Sequence, residues 1–233
     1  MEALTGQAVA EILSTAPRPL MEIKGELLFL PGQLLLHWVE KGVHHYKLVS
    51  SNSVKAAFSH EPIDSGWLSD GIVRWGIGKS GNWVVKFVPP GLHTLSFEEK
   101  DSLSIPLPGL VFLGYGFEYY IFCVAESSFN PEAEVFTAPL PNVYPDGRIC
   151  FGSTVPPACT PEEINRVWKM FITSNFNSHL GSGKSKAYPN SVRAMLQRVS
   201  ARKLKSYPVK DLDHYRSSVE QVIEQVIYPR YNW

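Results

Sequence analysis

The chain has no surplus of either charge. Its 233 residues carry 22 Lys and Arg against 22 Asp and Glu, which excludes a nucleic-acid binder held by bulk electrostatics. Cysteine is scarce. Cys123, Cys150 and Cys159 form neither an even disulfide framework nor a metal-ligand spacing, so a reducing compartment is expected. No run approaches the ~20 apolar residues that cross a bilayer. No basic segment precedes the short apolar stretch near Met1, so neither a membrane span nor an export signal is expected, and a cytoplasmic location is the default. His44, His45, His60 and His93 lack carboxylate or thiol companions at ligand spacing, which predicts no metal.

What is present suits a packed domain: 44% of the residues are hydrophobic, enough for a real core. Met1 to Leu13 reads as a short helix with Ala8, Ile12 and Leu13 on its apolar side, ended by Pro17 and Pro19. Leu27 to Leu30 and Leu34 to Val39 flank Pro31-Gly32 as a hairpin, and a third strand, His44 to Val49, follows Lys41-Gly42. Ser53 to Phe58 reads as one or two helical turns. Strands are expected at Gly71 to Ile77, Trp83 to Val88, Val111 to Leu113 and Tyr119 to Val124, then helical segments around 161–173, 190–204 and 211–227. Strands followed by helices predict an α+β fold, an antiparallel meander covered by helices. Residues 1–65 form a β-rich extension and 66–233 the core. In the last helical segment Val219, Val222, Ile223, Val226 and Ile227 share one side, expected to pack on its own domain rather than on a partner.

The chemistry centres on Leu140-Pro141-Asn142-Val143-Tyr144-Pro145-Asp146-Gly147-Arg148-Ile149-Cys150, where a turn-forming Asn stands eight positions ahead of a cysteine. Pro141 and Pro145 restrict φ and Asp146-Gly147 favours a tight reversal, so Cys150 can lie at the lip of a groove beside the Asn142 amide. A thiol so placed can take an acyl group as a thioester. The reaction needs thiolate, and an ordinary thiol of pKa near ~8.5 is only a few per cent ionised at neutral pH. Asn142 either donates its side-chain amide to an oxyanion or braces the loop by an Asx-type bond; the spacing leaves both readings open.

This run resembles the active-site segment of ubiquitin-conjugating enzymes, which reads His-Pro-Asn, a Val-Tyr or similar pair, a Gly and, three residues on, the nucleophilic Cys. Leu140 replaces the His. Upstream, Phe129-Asn130-Pro131 through Glu134-Val135-Phe136-Thr137 is similar to the family's stretch leading into the active-site loop. Downstream, Cys159-Thr160-Pro161 stands where the family has Trp-Ser-Pro, nine positions after the cysteine. Thr160 and Glu163 form a capping-box pair around Pro161, and Ile164, Val167, Trp168, Phe171 and Ile172 repeat at helical spacing. The resemblance covers about residues 83–180. It is to the bacterial members: the prokaryotic ubiquitin-conjugating family D, which includes the protein B of PRTRC plasmid systems. Similar proteins occur in antiphage operons beside a ubiquitin-like protein, an activating enzyme and a JAB-type peptidase. A free cysteine is most often a small buried apolar residue, but the register of its neighbours here points to the nucleophile.

The resemblance implies a conjugating fold and a carrier. Cys150 would accept a ubiquitin-like protein from its activating enzyme and pass it to an amine, a target lysine above all, with no cofactor of its own. The family's acidic or polar gate residue has no counterpart aspartate, since none stands between Cys150 and Asp211. Ser178 or His179 is expected to take that place and orient or deprotonate the amine; the plainer reading is an exposed loop histidine. With the His at 140 gone, Leu140 is expected to hold the loop by packing. Two rival classes stand beside this reading. One is a catalytically weak or inactive scaffold that binds ubiquitin-like partners, and the other a cysteine hydrolase, which needs a base against the thiol.

Two further motifs carry less. Gly181-Ser182-Gly183-Lys184-Ser185 has the end of a phosphate-binding loop, but the motif's first Gly falls at Ser178 and the segment follows a helix, so nucleotide binding is not predicted. Lys184, Lys186, Arg193, Arg198, Arg202, Lys203 and Lys205 form a basic stretch, read as a solvated helix face with an acidic partner as the alternative.

Overall fold

The computed structural model describes residues 25–30, 33–51, 53–54, 65–97 and 101–229. Two compact units, Met1–Ser65 and Gly66–Trp233, divide the chain.

In the first unit β1 (Gly25–Leu30), β2 (Gln33–Glu40) and β3 (Val43–Val49) form an antiparallel sheet in that order. Lys41 and Gly42 both take positive φ, 50° and 80°, the two-residue turn whose twist matches a hairpin. The hairpin and third strand stand as expected. The ring of His44 stacks on His37 and that of His45 on Trp38. The helix expected at Met1 to Leu13, and His60, lie outside the described residues. The turn expected from Ser53 is described only at Ser53 and Val54, where the Val54 N–H donates to the Ser50 carbonyl at 3.1 Å.

The second unit is α+β. Strands β4 (Ile72–Gly78), β5 (Gly81–Val88), β8 (Gly109–Tyr115), β9 (Glu118–Val124), β10 (Glu134–Thr137) and β12 (His214–Ser218) build a six-stranded sheet in the order β12-β10-β9-β8-β5-β4. Its central strands are near-continuous apolar runs because both faces are covered. Alternate residues point to opposite faces. Leu110, Phe112, Tyr119, Ile121 and Cys123 enter the larger core with Ile164, Val167, Trp168, Phe171 and Ile172 of helix α1 (Ile164–Ile172) and with α2 (Val192–Ala201). Val111, Leu113, Phe122 and Val124 enter a second core under α3 (Val219–Ile227). The apolar side of α3, with Val219, Val222, Ile223 and Ile227 buried, packs on its own domain, as expected.

The sequence reading departs from the structure in several places, and β10 is among the strands it did not expect. β6 (Gly91–Phe97) and β7 (Ser102–Leu107) form a hairpin that was not expected; with the two-residue β11 (Asn175–Phe176) parallel to β6 they make a small second sheet. Residues 211–227 are not one helix. A 3-10 turn at Val209–Asp211 leads into β12, and α3 begins only after Ser218, whose side chain accepts from the Gln221 N–H while the Gln221 side chain accepts from the Ser218 N–H. α1 starts at Ile164 rather than 161: Thr160 Oγ1 accepts the Glu163 N–H at 3.2 Å, but the Glu163 carboxylate turns to Arg166 instead of closing the capping box. The strands expected at Gly71 to Ile77 and Trp83 to Val88 run on towards each other to a two-residue turn, Lys79-Ser80, with Gly78 paired to Gly81. No helix among the described residues is long and apolar enough to cross a membrane. No cluster of three or more His, Cys, Asp or Glu among them could hold a metal ion.

Candidate active site

Residues 142–150 form a hairpin docked on β9. Asn142 and Cys150 close one rung, Val143 bridges Ile149, and the Tyr144 N–H donates to the Arg148 carbonyl at 2.7 Å. Between them Pro145-Asp146-Gly147 is a three-residue loop, with the Gly147 N–H returning to the Tyr144 carbonyl at 2.9 Å. Asp146, exposed at the tip, accepts the Arg148 N–H through Oδ1 at 3.0 Å. Gly147 serves twice: its φ is 85°, and a Cβ there would meet the Phe122 ring at 2.3 Å. The second arm pairs outward, since the Ile121 N–H donates to Gly147 and the Ile149 N–H to Tyr119. The position of Cys150 is thereby fixed to the central sheet.

Three thiols meet three environments. Cys123 is fully buried, and burial pushes its pKa well up. Cys159 is also buried, under the Tyr119 ring and phenol, and is pushed up to about 12. Cys150 is half-buried and lines an open cavity of about 490 Å³. The phenol of Tyr144 lies beside its thiol, and that hydrogen-bonding contact raises the Tyr144 pKa. The Arg148 guanidinium lies over the Tyr144 ring, 4.9 Å from its centroid.

Asn142 and His179 line the same cavity, with Phe151, Phe171 and Asn177 in its wall. Asn142 holds the left-handed conformation at φ 59°. Its N–H donates to the His179 carbonyl at 3.0 Å and its carbonyl accepts the Cys150 N–H at 2.8 Å. Its side-chain Oδ1 is buried without a hydrogen-bond partner. The Asx-type brace is therefore absent, and the amide is uncommitted at the cavity wall. The His179 N–H is held by Asn177 Oδ1 at 2.8 Å, so two consecutive polar contacts fix the far side of the cavity. No hydrogen bond joins the His179 ring to the Cys150 thiol. Ser178 is exposed and is not part of the cavity wall.

Leu140 and Pro141 lie buried beneath the loop, Leu140 with no exposure and within the larger core. The residue that sequence reasoning missed is Lys184. Placed in a solvated basic stretch by its neighbours in the chain, it is 2% exposed, and its Nζ donates to the Leu140 carbonyl at 2.6 Å and the Val143 carbonyl at 2.7 Å. Burial lowers its pKa to about 7. Arg193 likewise leaves the solvated stretch, pairing with Asp101 at 3.0 Å over the Phe97 ring.

A hairpin that brings a cysteine to a cavity, with an asparagine beside it, is set against a meander with helices on both faces. Residues 46–215 match prokaryotic E2 family D. The chain belongs to that family. The matched span takes in nearly the whole second unit, reaching well beyond the stretch that carried the likeness in sequence, and ends within β12. An E2-like conjugating role follows for prokaryotic E2 family D, with ubiquitin-like proteins and activating enzymes as its partners in general. The chain matches no curated protein and no solved structure.

Proposed function

We propose that this member of prokaryotic E2 family D carries a ubiquitin-like protein as a thioester on Cys150 and transfers it to a lysine of a target. The observation that carries the reading is the cavity itself: among the three thiols, Cys150 alone lines it, and the unpartnered Asn142 amide and His179 share its wall. The Cys150 thiolate attacks the C-terminal carbonyl carbon of the ubiquitin-like protein held on its activating enzyme; the new C–S bond forms as the old one breaks and the activating enzyme's thiolate departs. A target amine then attacks the same carbon, the C–N bond forms, and Cys150 leaves as thiolate while the amine gives up its proton. Exchange between thioesters is nearly isoenergetic, so positioning and oxyanion stabilisation are what the site supplies. Asn142 offers the donor to the oxyanion, and His179, the other titratable group in the cavity wall, receives or orients the amine. A hydrolase dyad would hold a base against the thiol, and His179 makes no such bond.

The setting that suits this chemistry is a bacterial cytoplasm, with the gene beside those of the ubiquitin-like protein and its activating enzyme, in an antiphage or plasmid-borne operon. The test is a thioester assay with that ubiquitin-like protein, its activating enzyme and ATP, comparing the wild type with Cys150→Ala on gels with and without reductant. A reductant-sensitive adduct lost in the variant is expected. No adduct, with the activating enzyme itself charged, would leave a scaffold that binds ubiquitin-like partners.

A further inference from the structure

We propose that Lys184 is the positioning residue of the acyl-transfer site: it holds the backbone on both sides of Asn142 and so leaves the Asn142 side-chain amide free for the oxyanion. This rests on the reading of Cys150 and Asn142 given above.

Asn142 holds φ 59°, a left-handed conformation that asparagine tolerates better than other non-glycine residues but that still draws on its neighbours for support. Its own side chain is not the brace, since Oδ1 is unpartnered. The hydrogen bonds around it come instead from three separate places. The Cys150 N–H takes the Asn142 carbonyl, the His179 carbonyl takes the Asn142 N–H, and Lys184 takes the carbonyls of Leu140 and Val143. Only the last is a side chain, and it spans the residue from both flanks. One Nζ giving short hydrogen bonds to two carbonyls ties both flanks of Asn142 together, and an amine can donate both whether charged or neutral. With Leu140 supplying no polar group, a lysine more than forty positions along the chain does the bracing.

Lys184 is itself held. The Gly183 N–H donates to the Pro189 carbonyl at 2.7 Å, and the Lys186 N–H to the Asp211 carbonyl at 2.9 Å. Asp211 Oδ1 accepts the Ala187 N–H at 2.8 Å. Its loop is thus pinned on both sides of the lysine, and the side chain is buried with no ion pair to a described carboxylate. A lysine buried so, at the cost of desolvation, serves the two carbonyls it meets. The Gly-Ser-Gly that precedes it supplies the bend that turns the lysine inward, Gly183 taking φ 71°.

The experiment is a double-mutant cycle on single-turnover discharge of the Cys150 thioester to free lysine, with Lys184→Met, Asn142→Gly and the double variant. Loss of one oxyanion donor lowers such a rate by about 100-fold, so each single variant is expected to fall by that order, and the double variant by about the same 100-fold, because both act through one amide. A double variant about 10,000-fold down, the product of the two, would mean that Lys184 acts independently of Asn142 and would overturn the proposal; so would Lys184→Met discharging like the wild type. Should Lys184→Met fail to fold, amine-directed acetylation of the native wild type decides: Lys186, Lys203 and Lys205 are expected to be modified and Lys184 protected, and modification of Lys184 in the folded protein would overturn its placement. If the wild type forms no thioester with a charged activating enzyme, the reading of Cys150 fails first and is told apart from a failure of this inference.

Discussion

The backbone N–H of Cys150 donates to the carbonyl oxygen of Asn142 across 2.8 Å, so the two residues face each other over one rung of a hairpin. The rung fixes both main chains, so the part proposed for the Asn142 side chain can be tested apart from that of its backbone. Asn142→Gly keeps the left-handed conformation without strain and removes the amide; Asn142→Ala removes the amide and adds about 1 kcal/mol of backbone strain. Both are expected to lose about 100-fold in discharge, while thermal melts show Asn142→Gly close to the wild type and Asn142→Ala lower. Full activity in Asn142→Gly would remove the amide from the mechanism.

His179 contributes to the site twice, through its carbonyl to the Asn142 N–H and through its ring in the cavity wall. Substitution leaves the carbonyl in place. His179→Ala is therefore expected to charge with the ubiquitin-like protein at the wild-type rate and to discharge to lysine about 10- to 100-fold more slowly, the lower range of general acid–base contributions. Equal loss in charging and discharge would point to the loop and not to the amine, and unchanged discharge would return His179 to an ordinary loop residue.

Much of this arrangement is legible in sequence. The central strands and the buried side of α1 follow from apolar periodicity, and the Cys150 hairpin from Pro145-Asp146-Gly147, because each is a local signal. The β6–β7 hairpin carried one too: Leu103, Ile105 and Leu107 alternate, and they pair opposite Leu95, His93 and Gly91. Pro106 interrupts that run, and β7 lies at a sheet edge, where a missing N–H costs little. Ser218 and Gln221 marked the true start of α3, overshadowed by the apolar spacing that continues back towards Leu212. Lys184 was not legible. Its neighbours are basic and polar, and only the tertiary fold carries it under Leu140 and Val143.

The buried Lys184 also sets a pH dependence. Burial lowers its pKa to about 7 in the folded chain, against about 10.4 when unfolded. Between those values the unfolded state binds the extra proton, so stability rises with pH; below about 7 both states are protonated and the cost of the buried charge is carried in full. Relative to Lys184→Met, the wild type is expected to gain about 2 kcal/mol between pH 7 and pH 9. Denaturant melts of the two proteins across that range measure it. A difference that stays flat with pH would show that Lys184 keeps its ordinary pKa, with the two carbonyls compensating its burial.

Leu140 stands where the wider ubiquitin-conjugating family has histidine, and the structure gives it a purely apolar surrounding: no exposure, within the core shared by Val143, Ile149 and Phe171. Its carbonyl, not its side chain, meets Lys184. Truncation should therefore act through packing. Leu140→Ala is expected to cost 2–5 kcal/mol, roughly the range for a buried leucine, and to weaken discharge because the backbone that presents Asn142 settles into the cavity left behind. Leu140→Met, which conserves volume, is expected to cost about 1 kcal/mol and to keep most of the activity. The pair separates shape from chemistry: a loss common to both variants would mean that the leucine's detailed contacts matter beyond its bulk, and unaltered stability and activity in Leu140→Ala would show that packing at this position does not hold the loop.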